Sequence, residues 1–155
     1  MSALKERLLD PAVRPALVKD CCALIDERVK AIKGFTGVAV KGGYATVKAI
    51  KTGFVDGVVD ALLDEWVAEM TAFEDEFQRT ATAAPQFSAF LVAHRGRVAE
   101  ALITVTDRRA ETTKHKTAAS FYYRLRKSAV SHVDEAIPDL VALLVRHGGE
   151  LTRGA

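Results

Sequence analysis

The sequence predicts an all-α fold, with residues 1–155 forming one domain, a helical bundle of five or six helices. Three observations carry this. Apolar residues recur three and four positions apart through most of the chain, which is the spacing of one helix face. Helix start and stop signals bracket the periodic stretches, from Asp10-Pro11 to Gly148-Gly149. The 155 residues are 49% hydrophobic and 27% charged, ordinary for one globular domain, and no repeat or linker divides them. The same composition excludes other classes. A chain this apolar can bury a core, so it is not disordered. With 10 Gly and 2 Cys it is neither collagen-like nor a disulfide scaffold. The longest stretch free of Asp, Glu, Lys and Arg runs from Thr80 to His94 and contains Pro85, too short and too polar for a membrane span.

The elements follow in order. Asp10 caps a helix and Pro11 suits its first position. Val13, Leu17, Cys21, Leu24, Ile25, Val29 and Ile32 then share one face. Pro15 should kink this helix early or delay its start by a turn. Residues 34 to 53 allow two readings. As strands, Gly42-Gly43 would be a tight hairpin turn. As a helix, Phe35, Val38, Ala39, Gly42, Thr46, Ala49 and Gly53 form a narrow stripe of mostly small residues that a second helix could approach closely. The helix is favoured, because a lone hairpin in a helical chain needs cover on both faces. From Phe54 to Phe77 a wide apolar stripe includes Val59, Leu63, Trp66, Val67, Met70 and Phe73. Residues 80 to 86 read as a loop. One helix is expected from Phe87 to near Thr112, through Phe90, Leu91, His94, Val98, Leu102 and Val105. The last segment carries Tyr122, Leu125, Ala129, Val133 and Ile137, is expected to break or kink at Pro138, and stops at Gly148-Gly149.

Cys21 and Cys22 are adjacent, and a disulfide between neighbours is strained, so two reduced thiols are expected. Met1 to Arg7 has mixed charge and no long apolar core, unlike a signal peptide. Both features point to the cytoplasm. Net charge is only +2, but it comes in blocks. Arg28 to Lys51 is basic without an acid, Asp56 to Glu76 is acidic without a base, and Arg108 to Lys127 is basic again with only Glu111 opposed.

Motifs for chemistry are sparse. There is no Glu-x-x-His pair, only His132 and Glu135 in the reverse order and Asp107, Glu111 and His115 at four-residue spacing, at most half a metal site. No nucleophile elbow, zinc-protease motif or phosphate loop occurs. His94 reads as a core histidine bonded to a backbone carbonyl, His147 as a helix C-terminal residue, and His115 and His132 as surface or edge residues. No catalytic, cofactor-binding or metal residue is expected.

Two segments suggest surfaces. In residues 30 to 54, lysines are spread among small residues, with Lys41, Lys48 and Lys51 on one helical side. Such a face suits an anionic membrane, each nearby Lys contributing about 1 kcal/mol. In residues 113 to 127, bases surround Phe121-Tyr122-Tyr123, a pattern able to bind single strands. Nucleic acid is nonetheless not expected, since eight acids in the neighbouring block would repel phosphate. A simpler use of the blocks is for the acidic face to dock on a basic face, in this chain or a second copy. The expected interaction surface is therefore Lys41, Lys48 and Lys51, with Asp56, Asp60 and Asp64, and Arg124, Arg126 and Lys127.

Three stretches, Leu8-Leu9-Asp10-Pro11-Ala12-Val13-Arg14-Pro15, Gly43 to Phe54, and Val133 to Leu140 with Ala136 and Pro138, resemble a family of uncharacterised small bacterial helical proteins, a domain of unknown function. The likeness spans most of the chain. It implies an all-α fold and brings no activity, cofactor or catalytic residue. The expected function is non-enzymatic: a protein-interaction or self-association module forming a homo-oligomer. The alternative is a peripheral membrane or lipid-binding module using residues 30–54, and the third reading is a bundle that binds a metal or a small ligand.

Overall fold

The computed structural model describes residues 3–80 and 85–151 of the chain. Among them are seven helices: α1 (Ala3–Leu8), α2 (Arg14–Ala31), α3 (Gly34–Lys48), α4 (Phe54–Arg79), α5 (Phe87–Ala93), α6 (Arg95–Thr112) and α7 (Lys116–Gly148). The all-α class is as the periodicity implied, but five or six helices become seven. The short α1 carries only two core residues, Leu4 and Leu8, too few for a periodic signal. The segment expected as one helix from Phe87 to Thr112 is two, because the backbone leaves helical geometry at His94. Most of the loop expected over residues 80 to 86 lies outside the described residues.

Four helices form the frame, and ion pairs and hydrogen bonds fix their directions. Arg14 reaches Asp60 and Asp64, and Cys22, two turns further along α2, lies beside Asp56, so α2 and α4 run antiparallel. The Trp66 indole N–H donates to the Leu102 carbonyl, and Arg97 pairs with Glu76, so α4 and α6 do the same. Arg126 with Asp107 and Arg95 with Asp134 set α6 against α7. His147 with Asp20 and Arg28 with Glu135 close the ring between α7 and α2. The result is an up-down-up-down bundle. The shorter helices close its ends. At one end, Leu4 and Leu8 of α1 are buried, and Phe77 of α4 meets Phe87 and Phe90 of α5 at ring separations of 5.5 and 5.6 Å. At the other end, α3 crosses between the C-terminus of α2 and the N-termini of α4 and α7.

Local sequence explains the starts and stops. Asp10 accepts the Ala12 N–H at 2.8 Å and makes a turn, and the helix itself begins at Arg14 with Pro15 in its first turn, the delayed start that Pro15 implied. Residues 34–48 are helical, not a hairpin. The buried face of α3 differs from the expected one. Gly37, Val40 and Val47 face inward with Gly43 and Tyr44 half-buried, while Val38, Ala39, Gly42, Thr46 and Ala49 are exposed; the Phe35 side chain is not described. Two anchors set that rotation. The Tyr44 hydroxyl donates to Asp26 at 2.6 Å, and Gly43 lies so close to the Phe121 ring that a Cβ there would overlap it. The turn into α4 passes through Gly53 at φ +74°, where a side chain would be strained. Helix α7 continues through Pro138 rather than breaking there, with a length of about 50 Å at 1.5 Å per residue. No helix among the described residues is long and apolar enough to cross a membrane.

Candidate functional site

The centre of the four-helix frame is not filled. A cavity of about 320 Å³ runs between α2, α4, α6 and α7. Its walls follow from the helical spacing. α2 contributes Leu17, Cys21, Leu24, Ile25, Val29 and Ile32, and α4 contributes Leu63, Trp66, Val67 and Met70. Leu102 and Ile103 of α6 and Leu125, Val133, Leu140 and Leu144 of α7 complete it, with Val40 of α3 at one end. α7 presents Ala129 and Ala136 to the interior, and their small side chains leave space between the helices. Many of these apolar side chains, including Leu24, Ile25, Val29, Val133 and Leu140, remain half-buried although they point into the bundle.

Besides the Cys21 thiol and the Trp66 indole N–H, which is bonded to Leu102, the lining includes the polar side chains of Thr106, His132 and Arg28. The Thr106 hydroxyl donates to the Leu102 carbonyl and is satisfied. Arg28 donates from Nη2 to Glu135 Oε2 at 3.2 Å, while its Nε is buried and finds no hydrogen-bond partner among the described residues. Cys21 is the wall's thiol, and burial with nearby Asp20 pushes its pKa up to about 11. Burial and Asp56 push neighbouring Cys22 to about 12. Both therefore remain thiols at neutral pH, and both are unpaired.

Several carboxylates elsewhere are committed to structural pairs. A hydrogen bond from His147 lowers the Asp20 pKa, and one from Tyr44 lowers that of Asp26. The Arg14 hydrogen bond lowers Asp64. Burial works to raise Asp107, but hydrogen bonds from Tyr122 and Arg126 outweigh it and leave it below the usual carboxylate range. A wider, shallow hollow of about 500 Å³ lies on the surface between α6 and the start of α7, beside Lys116, Tyr123 and Arg124.

The residues expected to form an interaction surface lie on α3, in the turn after it, on α4 and on α7. Lys41 and Lys51 are exposed, on α3 and in the turn after it. Lys48 pairs with Asp26 at 3.4 Å and sits over the Tyr44 ring. Asp56 is exposed on α4, whereas Asp60 and Asp64 both hold Arg14. Arg126 holds Asp107, and Arg124 and Lys127 are exposed on α7. Much of the acidic block thus finds its arginines within the chain, since Glu65 and Glu69 meet Arg108 and Glu76 meets Arg97. Among the described residues, no three His, Cys, Asp or Glu side chains are grouped to hold a metal. His147 stands at the helix C-terminus as its position implied. His94 is half-buried against the Phe90 ring at 4.6 Å, not bonded to a carbonyl among the described residues. His132, read from sequence as a surface or edge residue, lines the cavity.

Sequence reasoning passed over Arg28. The signal was present: Arg28 stands four residues from both Leu24 and Ile32 and three from Ile25, inside the apolar stripe of α2. A charge in that register needs a partner within the bundle.

No curated protein and no solved structure matches the chain. One family model does, over residues 4–148, nearly the whole chain and every helix described above. The protein therefore belongs to the family of unknown function DUF6918.

Proposed function

We propose that this protein binds a long apolar small molecule lengthwise inside the four-helix bundle. The observation that supports this is the cavity of about 320 Å³ with almost wholly apolar walls. From Leu17 to Ile32 the wall extends about 22 Å at 1.5 Å per residue, long for its volume, so it suits a single alkyl chain better than a compact ring system. Burying a guest chain against such walls contributes about 0.8 kcal/mol for each buried methylene. Pockets of this size and polarity are ordinary ligand sites. Native mass spectrometry of the gently purified protein tests the reading. A chain carrying the mass of a lipid-like molecule, or apo protein that takes up Nile red and releases it to an alkyl competitor, is the expected result. Apo protein that takes up neither dye nor alkyl ligand overturns it.

A second reading has its own observation. On α3, Val38 is 73% exposed next to exposed Lys41, and Lys30, Lys33 and Lys51 flank the helix without an intervening acid. This face suits an anionic membrane, and α3 lies over one end of the cavity. Co-sedimentation with anionic vesicles that salt reverses is expected. Equal recovery in the supernatant with neutral and anionic vesicles removes this reading.

A further inference from the structure

We infer that the guest of the cavity is an unsubstituted hydrocarbon chain, with no polar group in the part that the bundle encloses. This rests on the reading that the cavity holds a long apolar guest, and it names the chemical class of that guest. The walls show almost no polar surface. The Trp66 indole N–H and the Thr106 hydroxyl both donate to the Leu102 carbonyl. Arg28 gives Nη2 to Glu135, and its Nε is closed even to a water molecule. The Cys21 thiol is uncharged and a weak donor. With so little polar surface open, His132 meets the space through carbon. The backbone offers nothing more, because the walls are helices whose N–H and C=O groups are bonded along their own axes.

A hydroxyl, carboxylate or phosphate enclosed here loses its water and gains no hydrogen bond. For a hydroxyl that weakens binding about thirtyfold or more, and for an ionised head far more. Aliphatic carbon, by contrast, gains with every methylene that leaves water. Leu24, Ile25, Met70, Ile103 and Leu140, drawn from all four helices, meet such a chain with surface of its own kind. The guest is therefore an alkane, an alkene or an isoprenoid hydrocarbon, or else the tail of a lipid whose head stays in water outside the bundle. Both sources share the bare chain, and apolar contact along the wall, not a charge, holds it.

The test uses the full chain and diphenylhexatriene, a dye that is itself a hydrocarbon, displaced by decane, decan-5-ol and decan-1-ol. The mid-chain hydroxyl of decan-5-ol enters the cavity with its chain, so decane is expected to bind about thirtyfold more tightly or better. A smaller ratio means that the hydroxyl finds a partner inside, which overturns the inference and leaves the cavity reading intact. Uptake of Nile red without uptake of diphenylhexatriene or decane does the same. Uptake of neither dye overturns both. Decan-1-ol separates the two sources: binding within about tenfold of decane keeps its head outside, as for a lipid tail, whereas binding as weak as that of decan-5-ol assigns the free hydrocarbon. Val133→Thr puts a hydroxyl on the wall at nearly constant shape and should narrow the gap between decane and decan-5-ol several-fold. An unchanged gap in a folded Val133→Thr protein counts against the inference. Circular dichroism checks the fold, and if the variant does not fold the wild-type ratio decides.

Discussion

Gly42 and Gly43 are neighbours in one helix and should respond to alanine in opposite ways. A Cβ at position 43 would overlap the Phe121 ring, whereas nothing lies within 4 Å of one at position 42. Gly43→Ala is expected to lower stability by about 1–3 kcal/mol through overpacking. Gly42→Ala should raise it by roughly 0.5–1 kcal/mol through helix propensity. Thermal melts of the two variants check the pair, and the same sign for both would contradict the orientation of α3. The charged residues make a second prediction. Asp20, Asp26, Asp64 and Asp107 all have pKa values lowered by native hydrogen bonds and charges. The folded state therefore favours their ionised forms. The stability they contribute is complete above the unfolded carboxylate pKa of about 3.9 and is lost as pH falls through the lower folded values. Melting temperature should be flat near neutrality and drop below about pH 4. Asp107→Asn should lower it at pH 7 and lessen the acid dependence.

At the scale of the element, α3 is lightly held. Among its described residues only Gly37, Val40 and Val47 are buried, and it holds to its neighbours through Tyr44 and Lys48 to Asp26 and the Gly43–Phe121 contact. α4 by contrast buries Val59, Leu62, Leu63, Val67, Met70, Phe73 and Phe77. Amide hydrogen exchange should be fast in α3 and slow in α4, and Tyr44→Phe should accelerate α3 alone, at a cost of about 1 kcal/mol. Comparable protection in the two helices would sink this. The same contrast explains what the sequence could reveal. The stripe of α4 is wide and large-residued, so periodicity finds it and its inward face. α3 is nearly all small residues, so its helical state is legible but its rotation is not. That rotation is set by Tyr44 and Gly43 meeting residues on α2 and α7, which no local window contains. The break at His94 is hidden for a similar reason, because the apolar register from Phe87 to Val105 continues across it.

At the scale of the molecule, the ring and its hollow centre belong together. The acidic block of α4 is legible in the sequence, and its ion pairs align α4 with α2 and α6, but of the arginines it meets only Arg108 belongs to a basic block; Arg14 and Arg97 do not. The cavity is not legible, because a stripe that fills a core and a stripe that surrounds a space have the same period. What distinguishes them is volume across the bundle, set by Ala129 and Ala136 against residues on three other helices. Ala136→Leu is accordingly expected to fill part of the space. It should raise the stability of the unliganded protein by about 1–2 kcal/mol and weaken uptake of the apolar guest at least tenfold. Melting without ligand and Nile red titration check both halves, and a destabilised variant with unchanged uptake would contradict the placement of Ala136 on the cavity wall.

The closing wall of the ring, α7, is also the last of its four helices to be synthesised. Its bonds to α2 join residues far apart in the chain, Arg28 to Glu135 and Asp20 to His147. While the chain is still on the ribosome, α2, α4 and α6 can assemble only a three-sided trough, with Leu24, Val67 and Leu102 lying open to water. At about 5–20 residues per second, that trough stays uncovered for seconds before the 33 residues of α7 can seal it. The nascent bundle is therefore most exposed to chaperones, and to aggregation, until α7 has emerged.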